Sequence, residues 1–148
     1  MRIEPVSPPL RDAWVALRIA LWPDAPADVM TDEIDRLLAA PDADRPTWLA
    51  LDDGRPIGFA EASLRRDYVN GCETSPVAFL EGIYVMPHAR GQGVGRALDA
   101  AVRDWAIVRG CREYASDALL DNRESHAFHA ALGFEETERI VYFRRVLR

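Results

Sequence analysis

Apolar residues recur along the first part of the chain at helical spacing. Leu10, Trp14, Leu17 and Leu21 stand three and four residues apart, and Pro23 stops the run. Pro8 and Pro9 open this element, so the pattern predicts an amphipathic helix to about Trp22, with a short strand before it at residues 2–5. Thr31 is suited to cap a second helix whose stripe is Ile34, Leu37 and Leu38 and which ends near Pro41. The period then changes. Residues 48–51 and 56–64 read as strands joined by the turn Asp52-Asp53-Gly54-Arg55. Asn70-Gly71 marks a tight turn inside a longer excursion, residues 65–76, and residues 77–86 form the most apolar strand.

Helical spacing returns with Val94, Leu98, Ala101, Val102, Trp105 and Val108, which make one continuous face that Gly110 terminates. Residues 112–117 predict a short strand. Asp121 or Asn122 caps a further helix through Leu132, with Glu124 completing a capping box from Asp121. Gly133 ends that helix, and residues 135–146, rich in Ile140, Val141, Tyr142 and Phe143, predict a final strand. The order implies an α/β fold: a mixed, mostly antiparallel sheet with flanking helices around one core.

Composition narrows the picture. A chain of 148 residues with 49% hydrophobic and 28% charged residues suits a single globular domain, residues 1–148. No apolar run reaches the ~20 residues needed to cross a bilayer, and the N-terminus lacks a signal-peptide core. A reducing cytoplasm is the expected location. Cys72 and Cys111 have no metal or redox spacing, and His88, His126 and His129 form no ligand set with them, so no metal site is expected. The net charge of -6 comes with no basic stripe, which argues against a nucleic-acid partner. Acidity either aids solubility or favours a cationic ligand; the second reading needs carboxylates that converge on a site.

One motif carries candidate chemistry. Arg90-Gly91-Gln92-Gly93-Val94-Gly95 lies between a strand and a helix start, where glycines allow close backbone approach and helix N–H groups point at an anion. The spacing is neither GxxxxGK[ST] nor GxGxxG. It resembles the R/Q-x-x-G-x-G/A loop of the GNAT N-acetyltransferase superfamily. Ile83-Tyr84-Val85-Met86-Pro87 is similar to that family's fourth strand, Asn122 opens the helix after its fifth, and Leu132-Gly133-Phe134 follows. The resemblance implies that strands four and five splay to admit the pantetheine arm of acetyl-CoA. Ile83, Tyr84 and Val85 would then line the arm, with Ile83 and Val85 pairing through backbone groups. Arg90, Gly91, Gln92, Gly93, Val94, Gly95 and Arg96 would hold the pyrophosphate. Asn122 would touch the arm, or serve only as a helix cap.

Carboxylates point to the acceptor. Glu81 interrupts the apolar run from Val77 to Ile83, where an unpaired buried charge would be costly; it reads as a structural ion pair or as an anchor or base for an ammonium. Asp117 ends the next strand, and Glu135, Glu136 and Glu138 cluster after the last helix. Several segments then resemble aminoglycoside 6′-N-acetyltransferases: Leu21-Trp22-Pro23, Tyr68-Val69-Asn70-Gly71-Cys72, Ser75-Pro76-Val77 through Ile83, Gly110-Cys111-Arg112-Glu113, Ala115-Ser116-Asp117 and Gly133-Phe134 through Arg139. Carried over position by position, that family's drug contacts fall on Trp22, Tyr68, Glu81, Asp117 and Glu138. The resemblance also implies a homodimer whose neighbouring subunit completes the drug site.

The expected chemistry is direct acetyl transfer in a ternary complex, with Glu81 or Asp117, alone or through water, as base. A backbone N–H near Val85 would stabilise the oxyanion. The superfamily's tyrosine acid lies four residues before the LGF-like glycine, and here that position holds His129; it either donates a proton or is an idle helix-face residue. Tyr142 is a second candidate. The alternatives are an acetyltransferase for another cationic amine, such as a polyamine or protein N-terminus, and a catalytically silent acyl-CoA-binding module. A nucleotide switch lacks its lysine and magnesium-ligand motif.

Overall fold

The computed structural model describes residues 1–148. Five strands form one sheet in chain order: β1 (Arg2–Pro5), β2 (Thr47–Asp52), β3 (Arg55–Arg65), β4 (Val77–Val85) and β5 (Tyr114–Ser116). The first four pair antiparallel and β5 joins β4 in parallel. Helices α1 (Arg11–Leu21) and α2 (Ala27–Ala39) precede β2, α3 (Val94–Val108) links β4 to β5, and α4 (Arg123–Ala131) follows β5. The mixed, mostly antiparallel sheet with flanking helices is the one the sequence pattern implies.

Alternation along the strands divides the core between the two sheet faces. Leu49, Leu51 and Phe59 meet Trp14, Leu17 and Ile34 from α1 and α2. Ala50, Ala60 and Leu80 meet Val94, Leu98 and Val102 from α3. The β2–β3 turn forms at Asp53 and Gly54, both at positive φ (47° and 75°), the geometry a tight hairpin requires.

Several expectations are corrected. Thr31 does not cap α2. The helix begins at Ala27 after Pro26, whose fixed φ suits a helix entry, and the Thr31 hydroxyl donates back to the Ala27 carbonyl at 2.8 Å. Val108 is 84% exposed, because the last turn of α3 runs past the sheet. Asn122 alone caps α4, accepting from the Ser125 N–H at 3.1 Å, while Glu124 turns to Arg90 instead of closing a box with Asp121.

The largest departure is the final strand. Residues 135–148 form neither helix nor strand and no backbone hydrogen bond, and Phe143 is 92% exposed. Strand propensity is present, but a strand exists only against another strand's edge. No helix is long and apolar enough to cross a membrane.

Candidate active site

The centre of the site is an irregularity in β4. On β3, Glu61 pairs with Gly82 and Ala62 pairs with Leu80, leaving Glu81 as the extra residue of a β-bulge. A bulge bends its strand, and the parallel ladder with β5 ends at the same place, on the rung Leu80–Ser116. Beyond that rung β4 continues through Ile83, Tyr84 and Val85 with no strand on its β5 side. The two strands therefore open from an apex flanked by the next residue on each, Glu81 and Asp117.

Glu81 is exposed at the bulge, and the ion pair that is one reading of its place in the apolar run is present. Its carboxylate accepts from Ser63 Oγ at 2.5 Å and from Arg65 Nη2 at 2.9 and 3.1 Å. Ser63 and Arg65 alternate with Glu61 on one face of β3, the face that α1 covers. Arg65 is itself held, with its guanidinium carbon 3.6 Å from the Phe79 ring centroid. Asp117 is exposed just past the end of β5.

Trp22 closes the opposite wall. It follows the last turn of α1, packs edge-on against Phe59 at 6.2 Å, and lies over Gly82, where the absent side chain makes room for the indole. Beneath it runs a buried network. Arg18 binds Glu61 through Nε at 2.5 Å and Nη2 at 2.9 Å, Trp14 Nε1 donates to the same carboxylate at 2.7 Å, and Arg18 reaches Glu33 at 3.0 Å. The Arg18 guanidinium also sits 5.7 Å from the Trp22 ring centroid. Sequence reading missed this network; its only signal was a charged pair in otherwise apolar stretches, with nothing to say that they meet.

Tyr68 is 79% exposed on the β3–β4 excursion. Gly71 of that excursion, at φ +82°, is packed by the Thr137 side chain, so the start of the C-terminal segment, including Glu138, runs beside the Tyr68 loop. Glu81 takes its hydrogen bonds from Ser63 and Arg65, not from Tyr68 or Glu138.

On the other side of β4, the glycine run forms the entry to α3. Gly91 and Gly93 adopt φ of +75° and +83°, and a β-carbon at either would meet nothing within 4 Å. Gly93 is the N-cap and no side chain caps the helix, so the first-turn N–H groups, including those of Val94, Gly95 and Arg96, face an open cradle. Gln92 is exposed, and its Nε2 donates to the His88 carbonyl at 3.2 Å. Arg90 Nε donates to the Val85 carbonyl at 2.9 Å, which ties the loop to the end of β4. Gly95 touches Phe128 of α4, and Arg90 pairs with Glu124 in the first turn of that helix at 3.5 Å, so α4 packs beside the loop. Donors of this kind, with Arg96 exposed nearby, fit a pyrophosphate.

Residues 9–134 match the Acetyltransferase (GNAT) family. The chain belongs to that family.

Relatives within it are close. The chain is 55% identical over 136 residues to "Aminoglycoside N(6')-acetyltransferase type 1" of Stenotrophomonas maltophilia, covering 91% of this chain and 86% of the relative. It is 51% identical over 146 residues to the protein of that name from Acinetobacter genomosp. 13, covering 98% of each. Among solved structures, AAC(6')-Iy in complex with the bisubstrate analog CoA-S-monomethyl-acetylneamine superposes with a TM-score of 0.90 at 45% identity, covering 98% of this chain and 97% of that one. The apo AAC(6')-IG of Acinetobacter haemolyticus gives 0.93 at 44% identity over 100% of each chain. The bulge, the splay and the glycine cradle all lie within residues 9–134, the part of the chain that matches the family.

Proposed function

We propose that this GNAT protein transfers the acetyl group of acetyl-CoA to the 6′-amino group of aminoglycosides, and so confers resistance to them. The observation that carries the proposal is the pair Glu81 and Asp117 flanking the point where β4 and β5 part. A polycationic acceptor needs anionic groups beside the acyl carbon, and this is where a GNAT fold presents its thioester. The names of relatives at about half identity, and the aminoglycoside-like portion of the analog bound by AAC(6')-Iy, support the choice of amine.

The acceptor amine arrives largely as an ammonium ion. It competes with Arg65 for the Glu81 carboxylate, while the Trp22 face provides an apolar wall for a sugar ring. Glu81 or Asp117, directly or through water, takes the proton that must leave before nitrogen can attack. The glycine cradle and Arg96 bind the pyrophosphate, and Ile83, Tyr84 and Val85 line the arm, so both reactants are held at one apex. Asn122 caps α4 and lies on the same side as the arm. His129 stands in the position of the superfamily's acid. Because acetyl-CoA is a cytoplasmic metabolite, the reaction belongs in the cytoplasm.

The C-terminal segment supports a homodimer. Ile140, Val141, Tyr142, Phe143, Val146 and Leu147 are all exposed, on an extended arm with unpaired backbone. The arm also carries Arg139, Arg144, Arg145 and Arg148 without an acidic residue after Glu138, whereas the whole chain has a net charge of -6. A basic, apolar strand suits the free edge and acidic body of a second copy, and Glu138 would reach the acceptor site by that route.

A panel of amines offered with acetyl-CoA tests the activity. Acetylation of kanamycin- or tobramycin-like drugs at the 6′ position, found by mass spectrometry, is the expected result. Turnover of a polyamine alone would overturn the choice of acceptor, and coenzyme binding with no thiol release would favour a silent module. Glu81→Gln and Asp117→Asn should each lower kcat/KM at unchanged acetyl-CoA affinity. For the dimer, light scattering of the full chain should give twice the chain mass, and removal of residues 139–148 should give a monomer.

A further inference from the structure

The last rung before the splay carries more than a backbone contact. Ser116 Oγ lies 3.1 Å from the Leu80 carbonyl oxygen and 2.8 Å from His129 Nε2. The other ring nitrogen, Nδ1, is 2.7 Å from the Ser125 carbonyl oxygen. Phe134 and Phe128 stand edge-on to the imidazole at 5.4 and 6.5 Å and hold its plane.

Counting protons gives this arrangement two states. The carbonyl only accepts and lies nearer than Ser125 Oγ, which is 3.3 Å from Nδ1, so Nδ1 carries a hydrogen in both. When His129 is neutral, Nε2 is a lone pair and the single Ser116 hydroxyl proton points to it. When His129 is charged, Nε2–H donates to Ser116 Oγ, and the Ser116 proton turns to the Leu80 carbonyl, at the apex where β4 and β5 part. Loading a proton on His129 therefore turns the serine proton to the carbonyl of the last rung, where the splay begins.

From this we infer that Ser116 and His129 form a two-residue proton path serving the departing thiolate, with Ser116 as the delivering end. The inference rests on the splay being the thioester site. As the amine nitrogen bonds to the acetyl carbon, the carbon–sulfur bond breaks and sulfur keeps its electron pair. Sulfur takes the Ser116 hydroxyl proton while the Nε2 proton moves to Ser116 Oγ, which returns the serine to its hydroxyl form and leaves His129 neutral. The amine's own surplus proton leaves separately through the Glu81–Asp117 side, and His129 regains its proton from solvent. The path also explains how an imidazole can occupy a tyrosine's place: the serine supplies the reach.

Ser116→Ala, Ser116→Thr, His129→Gln and the Ser116→Ala/His129→Gln pair are compared with wild type in the full chain. The readouts are kcat, both KM values, acetyl-CoA binding and thermal midpoint, with the best amine of the panel above. Ser116→Ala and His129→Gln should each lower kcat on the order of 100-fold with KM values within twofold. The pair should be no slower than either single variant, because members of one path fail together. Ser116→Thr, which keeps the hydroxyl, should retain most of kcat. Wild-type kcat in Ser116→Ala, losses that multiply in the pair, or a fallen midpoint and weakened coenzyme binding would each overturn the path. If no amine is acetylated, the acceptor proposal fails by itself, and the same variants are read in the slow release of thiol from acetyl-CoA to water.

Discussion

The Trp22 indole rests on Gly82: a β-carbon at position 82 would fall 2.6 Å from Trp22 Cη2 and 2.7 Å from Cζ2. Gly82 follows the bulged Glu81, so one contact fixes Trp22 relative to the carboxylate of the proposed acceptor site. Gly82→Ala forces the indole outward. Stability should fall by about 1–3 kcal/mol, as for other overpacked sites. The acceptor KM should rise at least tenfold while acetyl-CoA affinity, read by calorimetry, stays within twofold. An unchanged acceptor KM would separate Trp22 from the site.

The pair below that wall should be costly to break and cheap to replace. Arg18 and Glu61 are 5% and 6% exposed, and Trp14 Nε1 adds a further bond to the carboxylate. Arg18→Met leaves Glu61 buried without its cation, which should cost about 3–5 kcal/mol in urea unfolding. Adding Glu61→Gln to the same chain, which removes the charge and keeps an acceptor for Trp14 Nε1, should recover most of that loss, although Trp22 then lacks the guanidinium beside it. Recovery of stability without recovery of the acceptor KM is the expected pattern.

Asp99 lies 3% exposed on α3, and neither its Oδ1 nor the Tyr114 hydroxyl completes a hydrogen bond. Burial pushes the Asp99 carboxyl up from its ordinary value, against smaller opposing effects from Tyr114 and Arg103. Burial likewise raises Tyr114, and the charge of Asp99 adds to it. The folded chain therefore holds the Asp99 proton more tightly than the unfolded chain. That contribution to stability is complete in acid and is lost as pH rises through the folded value. Asp99→Asn, neutral throughout, should gain on wild type in thermal midpoint between about pH 4 and pH 7. An equal difference at both pH values would count against an ionised Asp99 in the core.

Gly93 caps α3 at φ +83°, a conformation that costs a residue with a β-carbon about 1–2 kcal/mol. Gly93→Ala should weaken acetyl-CoA binding about tenfold if the entry relaxes away from the left-handed region. Its thermal midpoint should fall by a few degrees from that backbone strain alone, since no neighbour crowds the added carbon. Undiminished coenzyme affinity would remove the loop from the pyrophosphate site.

Local patterns were legible where the cause is local. The helical stripes of α1 and α3, the hairpin at Asp53-Gly54 and the glycine run each depend on residues a few positions apart. Three features were not. The Glu81 bulge is a mismatch between two strands, and the run Val77–Ile83 reads the same with or without it. The hydrogen bonds from Ser116 to Leu80 and His129 join three elements, and the serine looked like part of an ordinary short strand. The bond from Arg18 to Glu61 spans 43 positions, and neither residue belongs to a motif.

The amino-acid sequence by itself determined the order of the elements through α4, the glycine turn at Gly91–Gly95 and the candidate carboxylates, because backbone preference, helix periodicity and residue chemistry act over short distances. Only the tertiary structure decided which carboxylate is free, what holds Trp22 and which hydroxyl faces the imidazole, because those depend on strand register and on helices packed from both sides. The last segment marks the boundary. Its residues have the character of a strand, yet a strand is a relationship between two edges, and one copy of this chain leaves residues 135–148 without one.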